Sequence, residues 1–170
     1  MSKANVMRYF IKLWFSTLKE SVAFRVGEED MERFRCSYQD CRDKFYVSST
    51  YGGTDIAINL KHVEVANLLW DAGLEKDTQS EDDGYWIALH IRNRKPIFAD
   101  IGEPVDLADI LLTLDLGALE PGEVLALTDA DGELLMFDPA AILYLEVPTS
   151  VVIEGEKEMH KQDGIDDEPK

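Results

Sequence analysis

Apolar positions recur at every second residue in short bursts along this chain, and most bursts end at a glycine, an asparagine or a charged pair. The clearest lies at 123–148, EVLALTDADGELLMFDPAAILYLEVP. It predicts two strands joined by an Asp-Gly turn, the second bending at Asp138-Pro139 and running on to Pro148. Residues 44–69, KFYVSSTYGGTDIAINLKHVEVANLL, repeat that plan 79 positions earlier without a gap. Gly53 answers Gly132, Ile58 answers Phe137, Asn59 answers Asp138 and Val63 answers Ile142.

The stretches ahead of these hairpins also match. RYFIKLWFST at 8–17 sets Tyr9, Ile11, Leu13 and Phe15 on one face of a strand and Phe10, Lys12, Trp14 and Ser16 on the other. Both faces are largely apolar, which suits a strand held between two layers or one whose outer face meets a partner. SVAFRV at 21–26 completes a hairpin, and Gly27 breaks it. A helix is predicted over 28–38, with acids in its first turn to suit the macrodipole and Met31, Phe34 and Tyr38 on one stripe. The same order returns as strands at 85–93 and 95–101, a break at Gly102 and a helix over 105–116. Pro104 suits the first turn of that helix, its stripe is Val105, Ala108, Leu111, Leu112 and Leu116, and Gly117 is placed to end it.

The expected fold is therefore α+β: two tandem ββαββ modules, an internal duplication, with mainly antiparallel sheets related by an approximate twofold. The first module covers 1–70, an acidic linker 71–84, the second module 85–150 and a disordered acidic tail 151–170. The linker holds six acids and one lysine, and the tail from Glu154 holds seven acids and three lysines with little apolar content. Modules of this size bury too little surface alone, so facing sheets or one continuous sheet should unite them.

Composition narrows the class. An apolar fraction of 45% over 170 residues fits a globular fold, and no apolar run reaches the roughly 18 residues a membrane span needs. Lys12 interrupts the N-terminal apolar run and no small-residue cleavage site follows, so that stretch reads as a strand, not a signal peptide. Cys36 and Cys41 are too few for a disulfide framework. A cytoplasmic protein is expected. With the missing signal this fits a bacterial cytoplasm. The ending F-x-P-x-x-I-x-x-[LI]-E at 137–146 is similar to that of several small bacterial β-rich domains but is shared by unrelated families, so it points to no one family.

Charge is uneven. Residues 1–70 carry ten Lys/Arg against nine Asp/Glu, a net of +1, while 71–170 carry seven against twenty-five, a net of −18. This disfavours direct contact with nucleic-acid phosphates or anionic membranes and fits a basic protein partner, as well as plain solubility.

Candidate chemistry is sparse. Asp129-Ala130-Asp131-Gly132-Glu133 opens like a calcium loop, but the further ligands are missing and an Asp-Gly hairpin turn explains it. His62, His90 and His160 lie far from each other and from the cysteines, without metal spacing. No nucleophile elbow or phosphate-binding glycine loop occurs, so no cofactor, metal or catalytic residue is assigned. The expectation is a non-enzymatic interaction protein, an adaptor or accessory subunit, binding a protein partner through sheet edges and an acidic surface. Phe10, Trp14, Asp100, Glu103, Asp106 and Asp109 are its candidate contacts. Two alternatives are an acidic mimic of nucleic acid that inhibits a nucleic-acid-binding protein, and a small-molecule binder or enzyme with its site between the modules.

Overall fold

A computed structural model describes residues 5–74 and 84–164 of the chain. Strands β1 (Asn5–Phe15) and β2 (Val22–Val26) form a hairpin, followed by helix α1 (Glu28–Asp40). A second hairpin, β3 (Phe45–Ser49) and β4 (Thr54–Asn59), passes through a 3₁₀ turn at Leu60–His62 into the long β5 (Val63–Leu74). Then come β6 (Trp86–Ile91), β7 (Ile97–Asp100), α2 (Pro104–Leu116), β8 (Leu125–Thr128) and β9 (Leu134–Phe137). A 3₁₀ turn at Pro139–Ala141 leads to β10 (Ile142–Pro148) and α3 (Thr149–Gln162). The fold is α+β, and all described strand pairs are antiparallel.

Three sheets result, ordered β2-β1-β5, β3-β4-β10-β6-β7 and β8-β9. The five-stranded sheet is the middle layer. One face, with Tyr46, Ile56, Ile58 and Tyr144, packs on the inner face of the three-stranded sheet (Ile11, Leu13, Phe15, Phe24) and on Phe34 of α1. The other face, with Ala57, Ile87, Leu89, Leu145 and Val147, packs on α2, α3 and the β8–β9 hairpin. Period-two alternation in β4 and β10 thus feeds two cores at once, and both strands are buried along most of their length.

Local signals explain the element ends. Glu28, Glu29 and Asp30 occupy the first turn of α1, and Pro104 opens α2. Gly117 closes α2 in the left-handed conformation at φ 62°, which a side chain would strain. The β8–β9 turn is an Asp-Gly turn: Asp129 Oδ1 accepts the N–H groups of Asp131 (3.0 Å) and Glu133 (2.8 Å), and Gly132 sits at φ 82°.

The structure departs from expectation in three places. The segment 151–170, expected to be a disordered tail, is helical as far as Gln162. Val151, Val152 and Gly155 of α3 are buried against α2, because burial of the two valines and close approach at the glycine outweigh the acids that follow. Residues 165–170 lie outside the described residues. The linker expected to begin at Asp71 begins later, since Asp71–Leu74 belong to β5 and Asp71 receives a bidentate pair from Arg8 (2.7 and 2.9 Å). Its remainder at 75–83 also lies outside the described residues. The buried stripe of α2 is Pro104, Leu107, Ala108, Ile110, Leu111 and Leu114, whereas Leu112 and Leu116 are exposed. Two neighbours, the middle sheet and α3, widen the buried face beyond one stripe.

The halves are tied at the bends. Asn59 Nδ2 donates to Ile142 O (3.1 Å), and Asn59 Oδ1 accepts from Lys61 N (3.3 Å). His62 Nε2 donates to Ala140 O at 2.8 Å, joining one 3₁₀ turn to the other.

Two stability measurements check this packing. A Cβ on Gly155 would lie 2.3 Å from Pro104 O and 2.9 Å from the Ala108 Cβ, so Gly155→Ala forces α3 off α2. Denaturant unfolding of that variant is expected to show a loss of about 2 kcal/mol or more. Asn59→Ala strands a buried carbonyl and is expected to cost about 1–3 kcal/mol, against about 1 for Asp138→Ala, whose exposed side chain only caps Ala140 N. Equal losses for that pair would contradict the tie between the halves.

Candidate functional site

A sheet edge left bare offers unpaired backbone groups to another chain, so the candidate surfaces follow from how each edge is closed. Edge strand β2 is engaged at Arg25 O, which accepts from Tyr51 N (2.9 Å). At β3, α1 lies alongside: Arg33 donates to Val47 O (3.0 Å) and Tyr46 Oη donates to Asp30 O (2.6 Å). Edge strand β7 is only four residues long and is entered through Lys95-Pro96, a combination that blunts pairing. The end of β8 is held by Gly102 N donating to Thr128 O (3.2 Å).

Two edges remain. On β5, Tyr38 and Arg42 donate to Val63 O (3.1 and 2.6 Å), and Tyr38 also reaches Glu64 O (3.3 Å). Beyond Glu64, among the described residues, the side of β5 away from β1 has no partner strand. On β9, the side away from β8 is likewise unpaired among the described residues. Asp129 N donates to Glu133 O (2.9 Å), which marks that pair as hydrogen-bonded. The alternation of antiparallel pairs then turns the N–H and C=O groups of Leu134 and Met136 away from β8. Their side chains are exposed as well, at 63% and 60%. A hollow of about 650 Å³ runs beside β9, lined by Arg92, Arg94, Ile97, Met136 and Asp138 among others.

The candidate contacts expected from sequence fall on two separate surfaces. Phe10 and Trp14 lie half-buried on the outer face of the three-stranded sheet, in register with Leu69 and Val65 of β5, both exposed. Arg8 lies over the Phe10 ring and Lys12 over the Trp14 ring, at 6.0 and 5.2 Å. The four acids sit elsewhere, with the middle sheet between. Asp100 ends β7 and Glu103 precedes α2, both exposed. Asp106 and Asp109 lie on α2, where they and Asp163 line a shallow hollow of about 300 Å³ against α3.

The histidines are structural in their contacts. His90 stacks on Tyr144 at 3.9 Å and its Nε2 lies 3.0 Å from Glu146 Oε2. Tyr144 also stacks on Phe15 and meets Phe24 edge-on, each at 5.4 Å. Burial, and then the neighbouring Glu146, push the Tyr144 phenol well above its ordinary range, so it stays neutral. Neither His90 nor Glu146 lines the hollows described above. His62 holds the junction between the halves, and His160 is exposed on α3.

The sequence names sheet edges as candidate binding elements without singling out β5 and β9. A usable signal was present, because LLMF at 134–137 carries apolar residues on both faces beside a polar turn. The tie made by Asn59 was missed. Its signal was the matched Asn59 and Asp138, each accepting a backbone N–H two residues on.

Among the described residues no group of three or more His, Cys, Asp or Glu side chains is placed to hold a metal. None of the described helices is long and apolar enough to cross a membrane. No family model, curated protein or solved structure matches the chain.

Proposed function

We propose that this chain is a protein-interaction module, an adaptor or accessory subunit of a cytoplasmic complex, that takes an extended segment of a partner as an added strand. One observation carries the reading: the free edge of β9, where Leu134 and Met136 present both outward backbone groups and exposed apolar side chains. An added strand draws affinity from main-chain hydrogen bonds and specificity from alternate side chains. The net charge of −18 over residues 71–170 favours a partner segment with basic flanks. Asp100, Glu103, Asp106 and Asp109 then act as an electrostatic rim, and Phe10 and Trp14 as part of a second contact face.

We also infer that the two halves descend from one duplicated module. Helices α1 and α2 each span 13 residues and start 76 positions apart. The strand order β2-β1-β5 in the first half has its counterpart in β7-β6-β10. The register shift between Trp14 and Phe15, opposite Val65 and Val63, recurs opposite Tyr144 and Ile142, 79 positions on. Both halves place an Asx-capped 3₁₀ turn between the last hairpin and the last strand. A closed twofold between the halves would pair β9 with β5 as β4 pairs with β10, but β9 and β5 belong to separate sheets.

Panning the full-length chain against a displayed peptide library tests the binding reading. Enriched peptides are expected to alternate apolar residues and carry basic flanks, and Met136→Lys is expected to abolish the enrichment. No enrichment over bare support would overturn the proposal.

A further inference from the structure

The two free edges are the counterparts of the two strands that join the halves. Within the chain, β4 of the first half pairs with β10 of the second, in the register Tyr144↔Ile58, Leu145↔Ala57, Glu146↔Ile56, Val147↔Asp55 and Pro148↔Thr54. The 79-residue offset maps β4 onto β9 and β10 onto β5. At β4 the equivalent positions Asp55 and Ala57 are occupied by a neighbour strand, while at β9 Leu134 and Met136 are open. On β5 the side away from β1, where β10 receives β4, is open as well.

We propose that β9 of one copy pairs antiparallel with β5 of a second copy, repeating the β4–β10 junction between molecules. This rests on the strand-addition and duplication readings above and names the partner as the chain itself. The offset fixes the register: Val65↔Phe137, Ala66↔Met136, Asn67↔Leu135, Leu68↔Leu134 and Leu69↔Glu133. The joined sheet runs β8-β9 of one copy into β5-β1-β2 of the next, the same order as β3-β4-β10-β6-β7.

Charge agrees with this pairing. It brings the strongly acidic second half of one molecule, with Asp129, Asp131 and Glu133 at the β9 turn, against the near-neutral first half of the other. On that first half Lys12 of β1 lies beside the receiving strand, in register with Asn67. Apolar residues fit too: in this register the exposed Leu134 and Met136 share a face with the partly buried Leu68 and Ala66 of β5, and exposed Val65 lies opposite Phe137. Because the two surfaces differ, the contact is heterologous, and it propagates into a ring or an open chain instead of stopping at a symmetric dimer.

Two complementary blocks test the pairing in solution. Met136→Pro removes one outward N–H without touching the β8–β9 ladder, and Met136→Lys is the gentler second choice should the proline variant fail to fold. Val65→Glu with Leu69→Glu blocks β5 at exposed positions and places a carboxylate opposite Glu133. By light scattering after size exclusion, the wild type is expected to gain mass with concentration beyond a dimer. Each blocked variant alone stays at monomer mass, and an equimolar mixture of the two doubles it. A wild type that stays monomeric, a β9-blocked variant that still dimerises alone, or a mixture that does not double would each overturn the self-pairing. The peptide enrichment above separates the two readings: if it persists while self-association fails, the edge serves another protein.

Discussion

Pairing of β4 with β10 is the contact on which the rest of the structure depends. Alone, β3–β4 is a two-stranded hairpin and β10-β6-β7 a three-stranded sheet, each too small to bury two faces. Joined, they form a five-stranded layer with an apolar surface on either side. The β2-β1-β5 sheet and α1 cover one surface, and α2, α3 and β8–β9 cover the other. Side chains reinforce the seam. Tyr144 of β10 lies between Phe15, Phe24 and His90, and the Asn59 amide bonds across to Ile142 O.

The seam stands in contrast to the free edge of β9. Where β4 carries Asp55 and Ala57 into a buried junction, β9 carries the bulkier, exposed Leu134 and Met136. Asp55 spends its carboxylate on Ser49 and Thr149 hydroxyls (2.7 and 2.8 Å), fixing the entrance to α3. Nothing comparable anchors β9 among the described residues, and its apolar side chains lie open at an edge that other strands of the fold take care to close. Such an edge is a liability unless something pairs with it.

Much of this plan was legible in the chain. Period-two alternation, the Asp-Gly turn and the recurring glycine breaks located the strands, and the acid-led segment after Gly27 located α1. What escaped depends on contacts distant in sequence. From Val151 on, the helix at 149–162 has the composition of a tail because its polar C-terminal turns dominate, whereas its stability comes from Val151, Val152 and Gly155 against α2. The cross-connection of β4 to β10 left no local trace, since neither strand's own pattern names its neighbour. Of the candidate contacts, Phe10 and Trp14 were placed on the correct face by alternation. Charge alone gathered the four acids, and charge carries no information about which layer they occupy.

The central claim, that β9 and β5 are the unfilled equivalents of the β4–β10 seam, is tested most directly by hydrogen–deuterium exchange at rising protein concentration. The account predicts that the outward amides of Leu134 and Met136, together with those of Ala66 and Leu68 on β5, exchange quickly when dilute and become protected together when concentrated. Amides in β4 and β10 should stay protected throughout. Exchange at β9 and β5 that is independent of concentration, or protection that develops at one of them alone, would contradict it.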